Sequence, residues 1–139
     1  MYKRQAVIIL PVALAGIWVV GTMALVGLNW NVLTVMITAL TIGLGIDYSI
    51  HMWRRFEDEL DKGADRVHAM SMAYKITGTA LMMSAFTTAS GFLVLLLSPV
   101  PVIQDFGFVS AASVALSLIL ALFVLPALLL SEAKARGIR

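Results

Sequence analysis

Three features of the sequence predict an all-α membrane protein with four transmembrane helices. Of the 139 residues, 60% are hydrophobic and only 13% charged, whereas a soluble domain runs nearer half apolar and a quarter charged. With a mean hydropathy of +0.95, the chain could build a core but could not cover one with polar surface. Four apolar segments recur, each long enough to span, since about 20 residues at 1.5 Å each cross a ~30 Å hydrocarbon core. All ten lysines and arginines fall in the two terminal stretches or in the connection between the second and third segments, and none in the other two connections.

The first segment, about 6–27, follows Lys3 and Arg4. Its apolar run outlasts the 7–15 residues typical of a signal-peptide core, and no small-residue cleavage site follows, so a retained span is expected. Pro11 is expected in its first turns, where a missing backbone donor matters least. Leu28, Asn29, Trp30 and Asn31 form a short uncharged turn, with Trp30 suited to the headgroup belt. So short a link makes the second segment, about 32–53, the antiparallel neighbour of the first.

A charged connector covers 54–75. Its opening, Arg54-Arg55-Phe56-Glu57-Asp58-Glu59-Leu60, continues the helix outward. Gly63 can stop that helix and Asp65 can cap a second one. There Val67, Met70 and Tyr74 recur at helical spacing, which predicts a cytoplasmic surface helix between the second and third spans. The third segment, about 76–97, is rich in hydroxyl and small residues, and Ser98-Pro99-Val100-Pro101 breaks it. The fourth, about 106–130, sets Ala111/Ala115 and Ser113/Ser117/Ala121 four apart, which lets helix backbones approach closely in lipid. Asp105, at its expected start, suits a helix N-terminus.

The basic residues set an orientation. Lys3 and Arg4, then Arg54, Arg55, Lys62, Arg66 and Lys75, then Lys134, Arg136 and Arg139 all lie on one side of an N-in/C-in arrangement, the positive-inside pattern. The net charge of +2 therefore reads as inner-face loops, with no nucleic-acid partner. Without cysteine there are no disulfides or thiolate metal sites. No nucleotide loop, zinc motif or catalytic triad is present, so neither an enzyme nor a metal or organic cofactor is expected.

Asp47 is the one charge inside an apolar segment. A charged side chain at the bilayer centre costs from about 2.5 to more than 10 kcal/mol depending on the method, so such groups face a partner or water. At helical rise Asp47 lies about 10 Å inside the edge marked by Arg54, whose own side chain would snorkel outward. Gly43 at i−4 and His51 at i+4 share its face. Gly43 and Gly45 lower helix propensity, which suits close helix packing; Gly91 in the third segment is assigned the same role. Ser84, Thr87 and Thr88 reach the same depth and are candidate hydrogen-bond partners. No lysine or arginine does, so an ion-pair partner would come from elsewhere.

Two readings of Asp47 stand side by side. In one it relays protons, with Tyr48 and the hydroxyls as partners and His51 as a shuttle toward the inner face. In the other it is a protonated structural residue hydrogen-bonded between helices. His51 also reads as an ordinary interfacial residue and Tyr48 as packing. Met23, Met36, Met82 and Met83 read as apolar filler.

Gly43-Leu44-Gly45-Ile46-Asp47-Tyr48-Ser49-Ile50-His51, followed by Arg54-Arg55-Phe56-Glu57-Asp58-Glu59-Leu60, resembles the resistance-nodulation-division (RND) superfamily in its MMPL, or hydrophobe-exporter, branch. The likeness continues through Thr87-Thr88-Ala89-Ser90-Gly91-Phe92, Ser98-Pro99-Val100-Pro101, Phe106-Gly107 and Leu125-Pro126-Ala127-Leu128. It implies that the four segments are the third to sixth helices of a six-helix repeat, with Asp47 the proton carrier and Tyr48 its companion. It further implies export of lipids or other hydrophobic molecules across the inner membrane, with protons as the coupling ion. The expected partners are the bilayer, a hydrophobic substrate and the rest of the transporter, including a second repeat and extracytoplasmic porter domains. A piece of a transporter is thus expected, one that does not pump alone. Two alternatives are a SecD/SecF-like protein-export helper and a non-transporting lipid- or sterol-sensing module. Tyr48 and His51 favour the exporter branch.

Overall fold

The computed structural model describes residues 2–27 and 32–135. The turn expected at 28–31, with Trp30, and the basic positions Arg136 and Arg139 lie outside the described residues. Five α-helices follow one another: α1 (Tyr2–Val26), α2 (Val32–Asp61), α3 (Arg66–Ala73), α4 (Thr79–Val94) and α5 (Pro101–Ala135). A π-helical turn, Tyr74–Gly78, joins α3 to α4, and a 3-10 turn, Leu95–Leu97, ends α4. Four stretches are long and apolar enough to cross a membrane: Ile8–Leu25, Val35–Asp61, Arg66–Leu97 and Pro101–Ser131.

The helix expected after Asp65 is present as α3, and it continues through the π turn into α4. Arg66–Leu97 is one helical run of 32 residues, about 48 Å at helical rise against a ~30 Å core. The run is thus longer than a single crossing requires. The π turn carries that continuity, and the hydroxyl of Thr79, the first residue of α4, donates back to the Lys75 carbonyl within the turn at 2.8 Å. Pro11 also differs from expectation: α1 starts at Tyr2, so the proline is buried well inside the helix.

The helix ends have local causes. Gly63 adopts φ +87, a left-handed conformation that suits glycine. Its N–H meets the Leu60 carbonyl at 2.9 Å, and that of Ala64 meets Glu59 at 3.1 Å, closing α2. Asp65 holds the N-cap position of α3 with extended backbone but without a side-chain cap bond. α5 begins at Pro101, earlier than the expected 106, because proline suits the first helical position. Ser98 prepares the turn: its hydroxyl accepts from the Val100 N–H at 3.2 Å and its carbonyl from Gln104 Nε2 at 2.7 Å. Asp105 consequently sits in the second turn and caps nothing.

α5 is the hub, packing against α1, α2 and α4, while α4 leans chiefly on α5. Half of α5's apolar window is buried against 11% of that containing α4. At the far end Val19, Met23, Ile37 and Val109 cluster; at mid-span Tyr48, Leu81, Ala85, Val114 and Ala121; at the charged end Met52, Phe56, Ala69, Met70, Ala73, Leu122, Leu125 and Leu129. The α4–α5 contact hinges on Gly107. A Cβ there would lie 2.6 Å from the Phe92 carbonyl oxygen and 2.7 Å from Leu95 Cβ. Only a bare α-carbon fits.

Candidate functional site

Helical periodicity gives α2 two unlike faces. Thr41, Gly45, Tyr48, Ser49 and Met52 turn inward and are buried. Gly45 faces α1 and α5: a Cβ there would be in ordinary contact, 3.5 Å from Val12 Cγ2 and 3.8 Å from Ser117 Oγ. Gly43, Asp47 and His51, four apart on another face, are exposed. Among the described residues Asp47 makes no hydrogen bond or ion pair.

Tyr48 lies between α2, α4 and α5, with Leu81, Ala85, Val114 and Ala121 around it. Its hydroxyl is directed toward Ser84. The geometry falls short of a hydrogen bond, so Tyr48 Oη is buried without a partner. The hydroxyls expected to meet Asp47 do not reach it within this chain. Ser84 and Thr87 are exposed on α4 and Thr88 is half-buried. Thr87 Oγ1 instead faces its own helix, 2.8 Å from the Met83 carbonyl and 3.0 Å from that of Ser84. Of the glycines assigned to close packing, Gly45 is the one that packs. Gly43 and Gly91 have nothing within 4 Å of an added Cβ, because both sit on faces no described element covers. Gly107, not assigned that role, has the tightest surroundings.

A buried polar seam between α2 and α5 accompanies the site. Thr41 Oγ1 donates to the Ile37 carbonyl at 2.8 Å and lies 2.8 Å from Ser113 Oγ, whose proton can close the second bond. Ser49, Ser110 and Ser117 are buried with no hydrogen-bond partner, and an unpaired buried hydroxyl costs about 1–3 kcal/mol. The signal was in the sequence. Ser110, Ser113 and Ser117 follow the i, i+3, i+7 rhythm of one helical face, which reads equally as small-residue packing.

Among the described residues no group of three or more His, Asp or Glu side chains could hold a metal ion. What the arrangement offers is a carboxyl on an uncovered face beside a buried phenol lacking a partner.

Residues 5–137 match the profile of the MMPL family. The chain is 40% identical over 124 residues to membrane protein MJ1562 of Methanocaldococcus jannaschii, covering 89% of this chain and 32% of that protein. It is 35% identical to membrane protein ActII-3 of Streptomyces coelicolor, over 92% of this chain and 19% of the relative. The hopanoid transporter HpnN of Rhodopseudomonas palustris is 31% identical over 71% of this chain and 11% of its own length. The chain thus spans a third or less of each of these relatives. No solved structure matches it.

Proposed function

Because the chain belongs to the MMPL family, we propose that it is the membrane-embedded part of a larger, proton-driven exporter of lipids or other hydrophobic molecules in the inner membrane. Four apolar spans make it a multi-pass membrane protein of the RND/MMPL kind. The lipid character of the cargo is supported by a relative that is a hopanoid transporter. On this reading the coupling ion is the proton and Asp47 carries it, with Tyr48 beside it and His51 one turn nearer the charged end. The rest of the transporter covers the face bearing Gly43, Asp47 and His51 and supplies the partner that Ser84, Thr87 and Thr88 do not. The charged end faces the cytoplasm, in keeping with the positive-inside pattern.

The observation that carries this reading is a carboxyl inside an apolar candidate span that has no hydrogen-bond or ion-pair partner among the described residues. A group so costly to hold in hydrocarbon is placed for function, not for the stability of these helices. The test is Asp47→Asn in the full-length parent, reconstituted in proteoliposomes under a pH gradient. Cargo efflux and the coupled proton flux should fall to background while expression and thermal stability hold. Transport that survives the substitution would leave Asp47 a structural or sensing residue.

A further inference from the structure

A groove of about 540 Å³ runs between α1 and α2, away from Asp47, with Ile9, Gly16 and Val20 on one wall and Thr38, Ile42 and Ile46 on the other. We infer that this groove seats one acyl chain of an anionic bilayer lipid, whose headgroup rests at the charged end of the bundle. The lining is almost wholly apolar and lies inside two candidate spans, Ile8–Leu25 and Val35–Asp61. From Ile9 to Val20 it covers about 16 Å at helical rise, close to half of a ~30 Å hydrocarbon core and hence the reach of a single leaflet's chain. Gly16 leaves it open: an added Cβ there meets nothing within 4 Å.

Charge decides which lipid. Moving out of the groove toward the charged end, the first charged positions on α1 are Arg4 and Lys3; on α2 Asp47 and His51 come first, on another face, followed by Arg54 and by Arg55, which is already paired with Glu59. Basic groups flanking a membrane span attract anionic headgroups. Asp47 follows Ile46 directly but is turned about a hundred degrees round the helix, out of the groove. The acids Glu57 and Asp58 lie further out. At the opposite end Asp105 would repel such a headgroup. The inference is independent of proton coupling and would hold if Asp47 proved structural.

The experiment uses the full-length parent in phosphatidylethanolamine/phosphatidylglycerol vesicles, with a phosphatidylglycerol carrying a photoreactive group in its acyl chain. Adducts are mapped by mass spectrometry. Label should concentrate on peptides bearing the groove residues, be lost in Gly16→Phe and persist in Gly21→Phe, a change at an equally open glycine outside the lining. Gly16→Leu provides a smaller obstruction should the phenylalanine impair folding. A photoreactive phosphatidylcholine should label the groove less. Label indifferent to the Gly16 substitutions would reveal ordinary surrounding lipid, and equal labelling by the two headgroups would remove the role of charge. Cross-linking of Gly16→Cys to another segment of the parent would show that protein fills the groove. Each of those three results overturns the proposal.

Discussion

Between Met52 and Leu60, α2 is enclosed: α3 folds back along it, the end of α5 closes the third side, and Met52 and Phe56 are almost wholly buried. Around Asp47, nearer mid-span, the same helix leaves Gly43, Asp47 and His51 uncovered, and α4 beside it is the least buried span. One region is complete within this chain and the other is not. At the charged end Arg55 and Lys62 both meet Glu59, at 2.8 and 2.9 Å, although Arg55 Nε is left buried without a hydrogen bond. At the Asp47 level polar atoms are left over, Tyr48 Oη and Ser49 Oγ among them. The enclosed end is a clamp that fixes the direction of α2. At the open level Gly43, Asp47 and His51 face outward, uncovered by any described element.

The contrast breaks most visibly if the clamp is weak. Phe56→Ala removes a ring that is 3% exposed, and a buried Phe→Ala change costs about 3–5 kcal/mol. Reversible unfolding of the chain in detergent micelles should show a loss of that order. A loss below about 1 kcal/mol would mean the charged end is no more enclosed than the middle. Gly107→Ala comes next, because its methyl would meet backbone at 2.6 Å and overpacking costs about 1–3 kcal/mol. Gly91→Ala, with open surroundings on the partner helix, is the matched control and should be neutral or gain up to about 1 kcal/mol from helix propensity. Similar losses at both glycines would place the α4–α5 contact elsewhere.

These expectations also mark what the sequence could tell. The spans were legible because hydropathy acts over twenty residues, and Gly63 because a helix stop there needs a left-handed residue. The continuity of Arg66–Leu97 was hidden: one extra residue in a π turn leaves no mark in composition, and Asp65 with Val67, Met70 and Tyr74 suits a surface helix equally well. A start for α5 at 106 follows from reading Pro101 as a breaker, yet proline also starts helices, and α5 begins there. Gly107 could not be told from Gly43 or Gly91. A glycine's need for space is set by the helix opposite, and the crossing of α4 and α5 depends on residues far apart in the chain. Asp47 was legible as out of place, since its cost follows from depth alone; which side of α2 lacked a cover was not.

The seam between α2 and α5 sharpens the contrast at smaller scale. A double-mutant cycle of Thr41→Val and Ser113→Ala in micelles should give a coupling near 0.6 kcal/mol, the usual size of an interhelical hydrogen bond in a membrane protein. Ser110→Ala removes a buried hydroxyl that has no partner, so it should leave stability unchanged or raise it slightly. A clear loss at Ser110 would mean that the seam is satisfied by groups beyond those described.

The smallest effect is the most telling. Gly43→Ala adds a methyl to a face where nothing lies within 4 Å, so in the isolated chain it should cost no stability and gain at most about 1 kcal/mol from helix propensity, as at Gly91. In the full-length parent the same methyl stands four residues from Asp47, on the surface where the missing portion must come if it is to meet the carboxyl. There the substitution should reduce transport while the isolated chain loses no stability. Only a cover present in the parent and absent here can separate the two results. If Gly43→Ala were silent in both, the face would be open to its surroundings in the assembled protein too, and the partner of Asp47 would have to be sought in water, not in protein.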